Sequence, residues 1–86
     1  MRDDILATLY TRSGCRLCDE TAVELARLAQ LLHFEVEVVD ISTDAEAHDR
    51  WWADIPVVVT GATVLRAPIN NARLRAAILA AVRASV

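Results

Sequence analysis

Lysine is absent from this 86-residue chain, and its whole basic complement is nine arginines. They stand at positions 2, 12, 16, 27, 50, 66, 73, 75 and 83, interleaved with twelve acids, for a net charge of −3. Gripping a phosphate backbone takes a basic run or stripe, and none exists, so no nucleic-acid partner is expected. Aromatic residues supply only 5% of the chain against a hydrophobic fraction of 55%, so the core has to be built from aliphatic side chains and alanine. Such a plentiful apolar content at low net charge excludes a disordered chain. Long apolar runs are missing as well. Ile5–Tyr10 is too short for a membrane span or a signal peptide, and the acids in Met1-Arg2-Asp3-Asp4 suit neither. A cytoplasmic protein with no membrane partner is expected. The two glycines form no linker, no repeat is visible, and the length allows one domain over residues 1–86.

What is present reads as alternating elements. Ile5–Tyr10 is apolar enough for a central strand, and Thr11-Arg12-Ser13-Gly14 is a loop. A helix then begins near Cys15 and ends near His33. Cys18, Ala22, Leu25, Ala29 and Leu32 make its apolar stripe, with Glu20, Glu24 and Arg27 opposite. Phe34–Asp40 alternates, Phe34, Val36 and Val38 facing in and Glu35 and Glu37 out, as in a strand at or near an edge. Thr43-Asp44-Ala45-Glu46 matches a capping box that opens a short helix to about Trp52. Val57–Val59 and Thr63–Leu65 flank a tight turn at Gly61-Ala62. Asn70 or Asn71 caps a last helix with Leu74, Ile78 and Val82 on its buried side. The order β-α-β-α-β-β-α predicts an α/β fold with a mixed four-stranded sheet, its first two strands parallel through a right-handed crossover.

The two cysteines, Cys15 and Cys18, are spaced C-x-x-C where a strand has ended and a helix begins. In a reducing compartment that spacing points to redox chemistry or metal binding and not to a structural staple. A helix N-terminus offers unpaired N–H groups and a positive dipole end, which favour a thiolate. Arg12 and Arg16 add positive potential there, while Asp19 and Glu20 oppose it. Cys15 is the expected nucleophile, and Cys18, one helical turn on, is placed to attack the resulting mixed disulfide. A buried structural cysteine pair is the plain alternative. Zinc is the competing chemistry, with His33 and His48 as further ligands. Fourteen residues separate Cys18 from His33, and fourteen more separate His33 from His48, which suits no compact finger, so no metal is expected.

Leu9-Tyr10-Thr11-Arg12-Ser13-Gly14-Cys15-Arg16-Leu17-Cys18-Asp19-Glu20 resembles the opening of short bacterial glutaredoxin-like proteins, where a Tyr-Thr-x-x-Gly-Cys-x-Leu-Cys-Asp-Glu run is typical. Val38–Asp44 and Asp54-Ile55-Pro56-Val57-Val58 are similar to later segments of the same family, and the likeness covers roughly residues 5–80. The resemblance implies a thioredoxin-like fold and a dithiol oxidoreductase that needs no cofactor. It makes Cys15 the nucleophile and Cys18 the resolving cysteine. It also implies that Pro56 follows a cis bond and faces the disulfide, with the Ile55 backbone pairing with a bound substrate strand. Ile55 and Pro56 are thereby assigned to substrate binding, and Arg12 and Arg16 join them for their positive charge near Cys15. Without the resemblance, Pro56 would only open a strand.

The chain also departs from the glutathione-using members. Arg16-Leu17 stands where Pro-Tyr is usual. Arg66-Ala67-Pro68-Ile69-Asn70-Asn71 lacks the Gly-Gly and following acid that hold glutathione. The expected partners are therefore a disulfide-containing protein and, as electron donor, a reductase protein or a low-molecular-weight thiol, acting on a monomer. The other class of function is a binding module that keeps the fold for protein interaction or for a metal held by the cysteines. Trp51-Trp52 adds a last expectation. One ring packs in the core, and the other covers the helix end or lies exposed near Ile55-Pro56 to seat a partner.

Overall fold

The computed structural model describes residues 5–84. Its elements are β1 (Ile5–Thr11), α1 (Arg16–Leu32), β2 (Glu35–Asp40), a 3-10 turn (Ile41–Thr43), α2 (Ala45–Trp51), β3 (Val57–Thr60), β4 (Thr63–Arg66) and α3 (Asn71–Ala84). The sheet order is β2-β1-β3-β4. β1 runs parallel to β2, while β1–β3 and β3–β4 are antiparallel. This is the mixed four-stranded α/β topology that the sequence predicts, with the 3-10 turn as an unforeseen addition. Among the described residues no helix is long and apolar enough to cross a membrane.

The two faces of the sheet carry separate cores. On one, α1 and α3 bring Leu25, Leu28, Leu74 and Ile78 onto Ala7, Leu9, Val58 and Leu65. On the other, Ile41, Ala47 and Trp51 cover Val57, with Tyr10, Val39, Ile55 and Val59 beside them. Period-2 alternation along β3 assigns Val57 and Val58 to opposite faces, and both are fully buried. β3 is therefore an interior strand covered on both sides, hence its unbroken run of valines. The tight turn forms as expected: Gly61 takes φ +58° between the paired Thr60 and Thr63.

Local details differ from the sequence reading in four places. Glu24, expected on the solvent face of α1, is buried, because Arg27 and Arg75 both reach its carboxylate. The buried stripe runs through Cys18, Thr21, Leu25 and Leu28, and Ala22 and Ala29 are only half-buried at its flank. Val38, expected inside, is 59% exposed, while Val39 packs into the second core. β2 is an edge strand, so its side chains are covered from one flank only. Finally, α2 is capped by Asp44 and not by Thr43. The Asp44 carboxylate accepts from Ala47 N–H at 3.0 Å, and the Thr43 hydroxyl donates to the Asp40 carbonyl at 2.9 Å. A charged carboxylate is the stronger acceptor and takes the cap. At the last helix, Asn70, one of the two expected candidates, is the cap, accepting from Arg73 N–H at 2.8 Å.

Candidate active site

Cys15 and Cys18 sit at the junction of the loop after β1 with the first turn of α1. Gly14, at φ +79°, turns the chain after β1. The Cys15 N–H then closes that turn on the Arg12 carbonyl at 3.2 Å. Cys15 has extended backbone angles and acts as the N-cap of α1. Its Sγ accepts from the Cys18 N–H at 3.1 Å, and its carbonyl accepts from Asp19 N–H at 3.1 Å. The two cysteines are joined as a disulfide with their Cα atoms 5.2 Å apart. Exposure separates them: Cys15 is half-buried, and Cys18 is fully buried at the head of the helix's apolar stripe.

This arrangement has a direct chemical meaning. When the bond is reduced, the sulfur that reaches solvent is the one already receiving a backbone N–H from the first turn of a helix. An N–H aimed at sulfur, with the positive end of the helix dipole behind it, favours thiolate over thiol at Cys15. Cys18 has neither solvent nor that donor, but lies one turn away, within disulfide-bonding reach of Cys15.

A cleft of about 330 Å³ opens beside the motif, lined by Leu17, Glu20, Thr21, Pro56, Pro68, Ile69 and Asn71. Pro56 is thus brought to the residue between the cysteines. The Ile55–Pro56 bond is cis, as the resemblance implied, and Ala67–Pro68 is cis as well. Ile55 turns its side chain away into the second core. Arg12 and Arg16 are exposed on either side of Cys15. Arg16 is drawn to Glu20 at 3.8 Å, and Arg12 offers its carbonyl to the turn. The cleft wall made by Leu17, Pro68, Ile69 and Asn71 was not singled out from sequence. Leu17 had one available signal, an apolar residue between the two cysteines, and the structure leaves it 54% exposed.

The tryptophans divide as sharply as the cysteines. Trp51 is buried, its ring centroid 5.6 Å from that of Tyr10, with the Arg50 and Arg66 guanidinium carbons 5.3 and 5.4 Å from its own. Trp52 is 60% exposed at the end of α2. A second cavity of about 400 Å³ lies between α2 and the strands, lined by Tyr10, Glu37, Arg50, Trp51 and others, and neither cysteine lines either cavity.

Sheet, helices and dithiol together define a short thioredoxin-like protein with a Cys-x-x-Cys pair at the start of its first helix. More particularly, the chain belongs to the glutaredoxin-like domain family (DUF836), whose profile matches residues 6–79. Membership and the cysteine pair give it a thiol–disulfide redox-type role. Among solved structures it is similar to protein XcR50 from X. campestris, at 31% identity and a TM-score of 0.71, over 86% of this chain and 96% of that one. Protein Ne2328 from Nitrosomonas europaea shares the fold at 24% identity and a TM-score of 0.65, over 83% and 87% of the two chains. No curated protein matches the chain significantly.

Proposed function

We propose that this protein is a thiol–disulfide oxidoreductase that reduces disulfides in other proteins. The observation that carries the reading is the pairing of a half-exposed Cys15, capping a helix N-terminus, with a fully buried Cys18 one turn on. In the reduced protein the Cys15 thiolate attacks one sulfur of a substrate disulfide. A Cys15–substrate S–S bond forms, the substrate S–S bond breaks, and the departing sulfur takes a proton from water. Cys18 then gives up its proton and attacks Cys15 Sγ, expelling the second substrate thiol. Two electrons have passed to the substrate, and the chain is left as the Cys15–Cys18 disulfide. A reductase protein or a low-molecular-weight thiol returns the two electrons.

The residues around the pair take supporting roles. Exposed Leu17 offers the apolar surface against which a substrate segment lies, over the buried Pro56, and the Ile55 backbone pairs with that segment. Arg12 and Arg16 supply positive potential on the rim. The test is a turnover assay on a disulfide-bonded protein, with thiols counted before and after. Stoichiometric loss of two thiols per chain together with catalytic reduction supports the enzyme. Two thiols that cycle without reducing any protein disulfide would reject it in favour of a binding module.

A further inference from the structure

Asp54 ties together parts of the chain that are distant in sequence. Its N–H donates to the Trp51 carbonyl at the end of α2 at 2.8 Å, and its own carbonyl accepts from Ala67 N–H, just past β4, at 3.2 Å. Its carboxylate lies 3.4 Å from Arg66 Nε. The Arg66 guanidinium stacks over Trp51, and Trp51 packs on Tyr10 at the exit of β1. Asp54 leads directly into Ile55-Pro56, and Arg66 leads directly into Ala67-Pro68. Pro56 and Pro68 are both walls of the cleft beside the disulfide.

From this placement we infer that Asp54 and Arg66 are positioning residues, a clamp that fixes the two proline loops at the spacing a polypeptide substrate needs. The inference rests on the protein-disulfide reading and deepens it. Each loop contains a proline without an N–H, so neither can build a full set of internal hydrogen bonds. Loops with few such bonds open readily, and ordering them on binding subtracts from affinity. The Asp54 carboxylate pairs with Arg66 at the end of β4 and its carbonyl accepts from the next residue, Ala67, so the clamp holds the second loop at two points. Neither side chain is among those lining the cleft, and neither touches a cysteine. The sulfur chemistry is thus unchanged by the clamp, and a small disulfide that leaves the cleft unfilled has no need of it.

The experiment compares the wild type with Asp54→Asn, Arg66→Met and the double variant, methionine keeping an unbranched chain over Trp51. For a disulfide-bonded protein substrate, kcat/KM falls roughly fivefold in each single variant, the loss lying in KM, as suits a half-exposed ion pair with a cation–π contact. The double variant is no worse than the poorer single one, because both remove the same link. Turnover of bis(2-hydroxyethyl) disulfide and the alkylation rate at Cys15 stay at wild-type values. Amide hydrogen exchange, read without any turnover, accelerates together at Asp54 and Ala67, whose N–H groups bond to the Trp51 and Asp54 carbonyls. Exchange that is unchanged, or that rises in one loop alone, overturns the clamp. So does an equal loss on the protein and the small disulfide. If exchange rises in both loops while the wild type reduces no protein disulfide, the clamp stands and the reductase reading falls.

Discussion

Glu24 of α1 is held from two helices, its Oε2 lying 2.7 Å from Arg27 Nη2 on the same helix and 3.6 Å from Arg75 Nη1 on α3. The Arg27 hydrogen bonds dominate in holding the Glu24 carboxyl below the usual carboxylate range, and both guanidinium charges reinforce them against partial burial. Asp40 is lowered as well, chiefly by the Ser42 hydroxyl and then by its N–H. A carboxylate whose folded pKa is depressed stabilises the fold above its unfolded pKa, and that contribution disappears as pH falls through the folded one. The thermal midpoint should therefore fall on acidification through and below the ordinary carboxylate range. In Glu24→Gln the midpoint is lower at neutral pH and the acid slope shallower, though not flat, since Asp40 remains. Melting curves at stepped pH check this, and parallel slopes in the two proteins would refute it.

The cysteines should behave as unlike groups. Near neutral pH, iodoacetamide is expected to modify Cys15 much faster than the fully buried Cys18. Cys15→Ser should abolish disulfide reduction, whereas Cys18→Ser should accumulate mixed disulfides with its substrates. Mass spectrometry of alkylated and trapped species reads both outcomes. Equal alkylation rates at the two thiols would remove the assignment of roles.

Glutathione is expected to be a poor electron donor. A charged tripeptide needs several pre-placed polar contacts, and beside two prolines, Leu17 and Ile69 the cleft offers only Thr21, Asn71 and one charged residue, Glu20, of the wrong sign for a carboxylate. Turnover with glutathione and its reductase should fall well below turnover with a thioredoxin reductase system. Saturable glutathione-driven turnover at a matching rate would show the cleft to have been misread.

Trp51 and Trp52 should separate in stability measurements. Truncating the buried Trp51 to alanine should cost about 3–5 kcal/mol, typical of emptying a large aromatic site. Trp52→Ala at the exposed position should stay within about 0.5 kcal/mol. If Trp52 also seats protein substrates, its alanine variant raises KM for them while its denaturation midpoint stays put. Chemical denaturation of both variants decides the first point, and steady-state kinetics the second.

Much of this molecule was legible along the chain because the signals are local. The valine run of β3, the Cys15–Cys18 junction and the Asn70 cap each lie within a few neighbouring residues. What escaped depends on meetings across the fold. Glu24 reads as a surface acid until α3 brings Arg75 against it from the far end of the chain. The cleft assembles Leu17, Pro56 and Pro68 from three separate segments, and nothing in the local pattern of any one announces the others. The Thr43-to-Glu46 pattern puts the cap on Thr43, but the Thr43 hydroxyl bonds back to Asp40 across the 3-10 turn, and the stronger Asp44 carboxylate takes the cap one residue on.

The exposed flank of β2 bears on self-association. A strand edge is where another strand, a second copy of the chain included, can add to a sheet. Here that edge alternates Glu35, Val36, Glu37 and Val38 and closes on Asp40. Two copies approaching through β2 would set acids against acids while their exposed Val38 side chains drew them together. At the far side of the sheet, β4 is only four residues long and ends at Arg66, two residues ahead of a proline that cannot donate to a ladder. One edge thus carries acids and the other is short, two features that disfavour the addition of a further strand.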